Sequence, residues 1–101
     1  MIAVRFATIT ELDKQATVLV AEAEKAKCQI AITKRGKPVG LLRNFKKRDK
    51  GRTETVSNIK NRANALLAEI EKSGGGIVIT RNGKPVALLV RINYKAFRLV
   101  K

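Results

Sequence analysis

The chain has 101 residues, of which 45% are hydrophobic, and this size and composition are ordinary for one globular domain. Its 22 lysine and arginine residues against eight acidic ones give a formal net charge of +14 and an isoelectric point near 10.7, which predicts a polyanionic partner. The sequence has no histidine, one cysteine and no apolar run of about 20 residues, which argues against a Cys/His metal site, an internal disulfide and a membrane-spanning helix.

The sequence repeats itself. When it is shifted by 47 positions, residues 8–42 align with residues 55–89 without a gap, and 16 of the 35 pairs are identical. This similarity predicts a tandem duplication: a first repeat over residues 1–42, a basic linker that leads into the second repeat over 43–54, and a second repeat over 55–101. Because about fifty residues bury little apolar surface by themselves, we expect the two repeats to share one core.

Each repeat begins with an extended segment followed by a helix. The extended segments are IAVRFAT (residues 2–8) and RTETV (residues 52–56), and the hydroxyls of Thr10 and Ser57 suit the N-caps of the helices. An apolar stripe with helical spacing follows in both repeats and predicts the core face of each helix. Its members are Leu12, Ala16, Leu19, Val20 and Ala23 in the first repeat and Ile59, Ala63, Leu66, Leu67 and Ile70 in the second.

Each repeat ends with a hairpin. ITKRGKPVGLLR (residues 32–43) and ITRNGKPVALLV (residues 79–90) place Arg35-Gly36 and Asn82-Gly83 between two apolar runs, as in a type I′ turn. After the second hairpin, RINYKAFRLVK (residues 91–101) predicts a short C-terminal helix. Each repeat therefore has the order β-α-β-β.

A family resemblance covers the second repeat well and the first repeat more weakly. Ser57, the run NIKNRANALLAEIEKSGGGIVITRNGKPVALLV (residues 58–90) and NYKAF (residues 93–97) resemble the amino-terminal DNA-binding part of the Phd/YefM (prevent-host-death) antitoxins of bacterial toxin–antitoxin modules. The resemblance implies units that dimerise through one continuous sheet and bind palindromic operator DNA, with a carboxy-terminal tail that holds the toxin.

The repeat and the resemblance together predict the architecture. We expect an α+β protein in which two tandem β-α-β-β repeats form one pseudo-two-fold Phd/YefM-like domain, with a shared antiparallel sheet and the helices on one face. Such a chain resembles a family dimer fused head to tail, although it could self-associate further.

The sequence departs from the family pattern at three places. Lys60 stands where the family has an arginine at the start of the helix, and Asp13 stands there in the first repeat. Asp13 repels phosphate and suits a capping box with Thr10, so the first repeat needs Lys14 or Arg5 as a substitute cation. Only a short stretch follows the last strand, which argues against the usual toxin-binding tail.

The candidate DNA contacts are mostly cations. We expect Lys60 in a first helical turn, where it opposes the helix dipole, and we interpret it as a phosphate or base contact rather than a solvated lysine. The linker cations and the turn cations are equally consistent with phosphate contacts and with solvated surface. The full candidate set is Lys60, Arg62, Ser57, Asn58, Lys14, Arg5, Arg52, Arg43, Lys46, Lys47, Arg48, Lys34, Arg35 and Arg81.

Two functions remain open. The first is a DNA-binding transcriptional repressor or autoregulator whose partner is double-stranded DNA with a palindromic or pseudo-palindromic operator. The second is a protein-interaction module that neutralises a toxin or another acidic protein. An enzyme is not expected, because the residues offer no constellation for nucleophilic or acid–base catalysis, and no cofactor or metal is expected. The sequence lacks a signal-peptide pattern and a strongly basic amphipathic helix, so we expect a cytoplasmic, DNA-associated protein of a prokaryote or virus and no membrane partner.

Overall fold

The structure is a computed structural model that describes residues 3–25 and 28–92. Within these ranges, no helix is long and apolar enough to cross a membrane. The predicted C-terminal helix around Tyr94 and Phe97 lies outside the described residues. The elements in chain order are β1 (Ala3–Thr8), α1 (Ile9–Lys14), α2 (Ala16–Glu24), β2 (Cys28–Lys34), β3 (Lys37–Asn44), β4 (Arg52–Thr55), α3 (Val56–Ile59), α4 (Ala63–Ser73), β5 (Ile77–Arg81) and β6 (Lys84–Arg91).

The fold is α+β, with one six-stranded mixed sheet and four helices in the described part of the chain. The strand order is β1-β2-β3-β6-β5-β4. The expectation of a wholly antiparallel sheet is wrong at the two edges, because β1 pairs with β2 in parallel and β4 pairs with β5 in parallel. A helical connection carries the chain back to the end of the sheet where the first strand began, which makes the next strand parallel to the first.

The centre of the sheet is the antiparallel pair of β3 and β6. Leu42 lies opposite Leu89, with Gly40 opposite Arg91 on one side and Asn44 opposite Ala87 on the other. This pairing joins residues from the two halves of the chain through backbone hydrogen bonds. The two hairpins therefore lie side by side in one sheet.

The core lies between the sheet and the helices. Alternate residues of the strands, such as Ile30, Ile32 and Ile79, belong to one buried cluster to which all four helices contribute. The predicted helical stripes are confirmed, since every member of both is buried. Leu19 of α2 and Leu66 of α4 are buried in this same cluster.

The helices begin two residues earlier than predicted. Thr8 and Thr55 are the N-caps, not Thr10 and Ser57. The Thr8 hydroxyl accepts the Glu11 backbone N–H at 3.0 Å, and the Glu11 carboxylate accepts the Thr8 N–H at 3.2 Å. This capping box replaces the predicted one between Thr10 and Asp13, because each edge strand runs directly into its helix and leaves its last threonine at the boundary.

Each half has two helices where one was predicted. Gln15, with φ −125° and ψ 37°, separates α1 from α2. In the second half, Lys60 has the extended ψ of 128° and Asn61 has a φ of 71°, so the chain leaves the helix and re-enters it at Arg62. The expectation that Lys60 lies in the first turn of a long helix is wrong, since Lys60 is the C-cap of α3.

The hairpin turns agree with the prediction. Arg35 and Gly36 have φ values of 54° and 80°, while Asn82 and Gly83 have 53° and 78°, which is the pair of positive values that a type I′ turn requires. In each hairpin, the register of the strand pairing shifts next to the proline, as it does at a β-bulge. A bulge is one of the few places where a strand tolerates a residue without an N–H donor.

Candidate nucleic-acid interface

Several arginines of the candidate set form ion pairs within the chain. Arg5 Nε lies 3.4 Å from Glu22 Oε2 across β1 and α2. Arg81, at the end of β5, pairs with Glu24 near the end of α2. Both arginines remain partly exposed, but a nearby carboxylate offsets the charge of each, which reduces their attraction for phosphate.

Arg52 and Asn58 hold the start of the second half together. The Arg52 guanidinium contacts the carboxylates of Glu54 and Glu69, and Asn58 Nδ2 donates to Glu54 Oε1 at 3.1 Å. The hydrogen bonds from Arg52 and from Asn58 lower the pKa of Glu54 below its usual value, and the charge of Arg62 adds to this. The structure therefore gives Arg52 and Asn58 internal partners.

Arg43 has a structural role at the end of β3, so it belongs to the strand rather than to the predicted linker. Its Nη1 and Nη2 donate to Asp49 Oδ2 at 3.1 Å and to Asp49 Oδ1 at 2.9 Å. Asp49 also accepts the Lys46 backbone N–H at 2.7 Å, which closes a turn over residues 46–49. The hydrogen bond from Arg43 holds the pKa of the Asp49 carboxyl below its usual value.

The helix breaks of the two halves meet at one place. The Asn61 backbone N–H donates to the Asp13 carbonyl oxygen at 3.1 Å, and the Ala63 N–H donates to Asp13 Oδ1 at 3.1 Å. Asp13 therefore caps α4, the helix of the other half, whose own N-cap residue Arg62 makes no side-chain capping bond. The predicted local capping role of Asp13 is wrong, because its carboxylate is used fifty residues away in sequence.

The Asp13 bonds bring together two chain segments that carry three exposed cations. Lys14 follows Asp13 directly, while Lys60 and Arg62 flank Asn61. None of the three makes an ion pair with another residue of the described ranges. We call Lys14, Lys60, Asn61 and Arg62 the helix-break junction. Ser57 is exposed on the adjacent helix α3.

The remaining candidate cations lie on turns away from the junction. Lys46, Lys47 and Arg48 are exposed on the turn that Asp49 closes, and Lys34 and Arg35 are exposed at the first hairpin turn. Lys37 and Lys84, which the sequence reasoning counted among the turn cations, are also exposed, but it missed the exposed Lys50 as a candidate contact. The charge of Lys50 was the available signal, but spacing alone does not separate it from the paired arginines.

In the described part of the chain, no cluster of three or more histidine, cysteine, aspartate or glutamate side chains could hold a metal ion. Comparisons of the chain with protein-family models, with curated proteins and with solved structures found no match.

Proposed function

We propose that the chain is a DNA-binding protein that acts as a transcriptional repressor or autoregulator. The observation that carries this proposal is the helix-break junction, where hydrogen bonds join the two chain segments that carry the exposed Lys14, Lys60 and Arg62. The Asp13 hydrogen bonds hold the backbone of these segments together. A preorganised backbone lets its cations meet a phosphate backbone at a lower entropic cost.

The charge distribution supports the same proposal. The described carboxylates are largely used inside the protein: Glu22, Glu24, Asp49, Glu54 and Glu69 pair with arginines, and Glu11 and Asp13 accept backbone N–H groups. The positive charge left over is exposed and favours a polyanion. The exposed cations that form no ion pair within the described ranges are Lys14, Lys25, Lys34, Arg35, Lys37, Lys46, Lys47, Arg48, Lys50, Lys60, Arg62, Lys72, Lys84 and Arg91.

We also infer that the chain is a tandem duplication that resembles a fused Phd/YefM dimer. Two registers support this inference. β1 and β2 pair with an offset of 25 residues, Ala3 with Cys28, and β4 and β5 pair with the same offset, Arg52 with Ile77. In the central pair, Leu42 lies opposite Leu89, the residue 47 positions later, as a pseudo-two-fold axis between the repeats requires.

This arrangement suggests a pseudo-palindromic operator with unequal halves. A two-fold relation in the protein is matched by a two-fold relation between DNA half-sites. The second repeat offers Lys60 and Arg62, whereas the first offers Lys14 beside Asp13, which is engaged as a cap. We therefore expect the stronger half-site to bind the second repeat. The covalent link between the repeats removes the concentration dependence of dimerisation.

The test is fluorescence anisotropy of the full chain with labelled duplex DNA at several salt concentrations. Binding through about six phosphates should weaken by about a thousandfold between about 50 and about 200 mM salt. A pseudo-palindromic duplex selected from a random pool should bind more tightly than a scrambled duplex of the same composition. Absence of duplex binding at low salt would overturn the proposal. The protein-interaction module would then be the better-supported function.

A further inference from the structure

A cleft separates the first hairpin turn from the end of β6 and from α4. Its volume is about 730 Å³. Four cations line it: Lys34, Arg35 and Lys37 from the turn, and Arg91 from β6. We call this site the basic cleft. Its volume lies within the range of roughly 300–1,000 Å³ that small-molecule sites occupy.

The apolar part of the basic cleft consists of Pro38, Val39 and Ile92. The Ile92 backbone N–H donates to the Val39 carbonyl oxygen at 3.5 Å, which ties the two sides of this apolar part together. Glu71 of α4 also lines the cleft. The lining thus combines an apolar patch with an excess of positive charge.

Both sides of the cleft have an ordered local structure. Arg35 and Gly36 hold the turn in its left-handed conformation, with φ values of 54° and 80°. Arg91 Nη1 donates to the carbonyl oxygen of Glu71 at 3.3 Å, so its guanidinium is held near the end of α4. The turn backbone and the Arg91 guanidinium are therefore held by contacts within the chain.

The corresponding place in the other half is far less basic. The positions 47 residues away from Lys34, Arg35 and Lys37 hold Arg81, Asn82 and Lys84, and Asn44 stands in the position of Arg91. Arg81 is already paired with Glu24, the counterpart of Glu71. The formal charge is +3 in the basic cleft, from four cations and one carboxylate, and +1 at its counterpart, from two cations and one carboxylate.

We propose that the basic cleft binds a phosphate ester whose phosphate meets the cations while a flat apolar group covers Pro38, Val39 and Ile92. The volume suits a molecule of nucleoside monophosphate size rather than a bare phosphate ion. The phosphate ester has two sources with the same chemistry, a free nucleotide or a nucleotide of a nucleic acid. The proposal does not depend on the helix-break junction, so it can stand or fall separately from the proposed function.

The test is isothermal titration of the full chain with adenosine monophosphate, with inorganic phosphate and with adenosine. Adenosine monophosphate should bind more tightly than either part alone. Replacement of Lys37 by Gln removes one cation of the cleft from an exposed turn position, and it should weaken binding by about tenfold, the typical loss for one charge-assisted hydrogen bond. Lys84→Gln is the matched control, because it makes the same change at the equivalent position of the other hairpin.

Three results would overturn the proposal: no heat of binding with adenosine monophosphate, equal weakening by Lys37→Gln and Lys84→Gln, or no weakening by Lys37→Gln. Anisotropy with duplex DNA separates the two sources. If Lys37→Gln weakens the binding of both adenosine monophosphate and duplex DNA, the cleft holds a nucleotide of the nucleic acid. If it weakens the binding of adenosine monophosphate alone, the cleft holds a free ligand. Loss of DNA binding through Lys60→Glu with nucleotide binding intact would show the two sites to be independent.

Discussion

Asp13 accepts one hydrogen bond through its carbonyl oxygen, from Asn61 just before α4, and one through its carboxylate, from Ala63 at the start of α4. Asp13 stands where the antitoxin family that the second repeat resembles has an arginine. An arginine at position 13 would add a cation but leave the Ala63 N–H without its acceptor.

The first prediction concerns the stability contributed by this cap. Asp13→Ala should lower the free energy of unfolding by about 1 kcal/mol, because a side-chain cap of an orphan N–H typically contributes that much. Asp13→Asn is the control, since its amide oxygen can still accept the bond, and it should lose less. Urea denaturation measures both. An alanine variant as stable as the parent would mean that water replaces the cap without cost.

The second prediction concerns Asp49, whose pKa Arg43 lowers by hydrogen bonding. A carboxyl with a lowered pKa in the folded chain contributes stability above its unfolded pKa of about 4 and loses it as the pH falls through the folded value. Asp49→Asn should therefore be less stable than the parent at pH 7, and the difference should narrow below about pH 4. Arg43→Gln breaks the same ion pair by removing its cation. The stability difference between Arg43→Gln and the parent should also narrow below about pH 4. Urea denaturation across this pH range checks it, and a constant difference would contradict the assignment.

At the scale of elements, the break between α3 and α4 decides what Lys60 does. A lysine in a first helical turn opposes the helix dipole, but a lysine at a C-cap is favoured by it. Because Lys60 ends α3, glutamate at this position is not expected to strengthen folding. The exposed side chain stays available to phosphate.

The third prediction follows from that position. Lys60→Glu should weaken duplex binding by about tenfold or more, because it reverses a charge at the helix-break junction, while thermal stability should stay equal or fall slightly. Lys72→Glu is the matched control, as Lys72 is an exposed lysine in the last turn of α4. Anisotropy at fixed salt and thermal melts measure the two effects. Equal DNA affinity for both variants, with binding abolished by neutralising Lys46, Lys47 and Arg48, would move the interface to the linker turn.

At the scale of the whole molecule, neither half has a complete sheet or core by itself. β3 has β6 as its neighbour, with Leu42 opposite Leu89. The buried cluster contains Leu19 and Val20 from one half and Leu66 from the other. Separation of the halves would expose this apolar surface to water.

The fourth prediction tests this dependence by cutting the chain at Gly51. The fragment of residues 1–50 should be unfolded or should self-associate, because β3 would lose β6, one of its two neighbouring strands, and the core would lose the side chains of the second half. Size-exclusion chromatography with light scattering and circular dichroism measure this. Addition of the fragment of residues 52–101 should restore helical signal. A stable monomer of the first fragment would contradict the shared core.

The sequence alone was enough to predict the strand segments, the two helical stripes and both turns with positive φ. These features depend on local chemistry, namely apolar spacing and the conformational preferences of glycine and asparagine. The predicted N-caps were two residues late, since threonine occurs at positions 8 and 10 and only the strand boundary decides which one caps. The two breaks in the helices carry no glycine or proline, and the one local signal is Asn61, a residue type that tolerates the positive φ of 71° found there.

The sequence by itself determined the net charge, the internal similarity at an offset of 47 residues and the α+β class. Only the tertiary structure decided which cations are free, because arginines and carboxylates that pair, such as Arg81 and Glu24, are distant in sequence. It also decided that Asp13 caps the helix of the other half and that the edge pairs of strands are parallel. Local propensities act over a few residues, whereas ion pairs, long-range caps and strand order depend on how the folded elements meet.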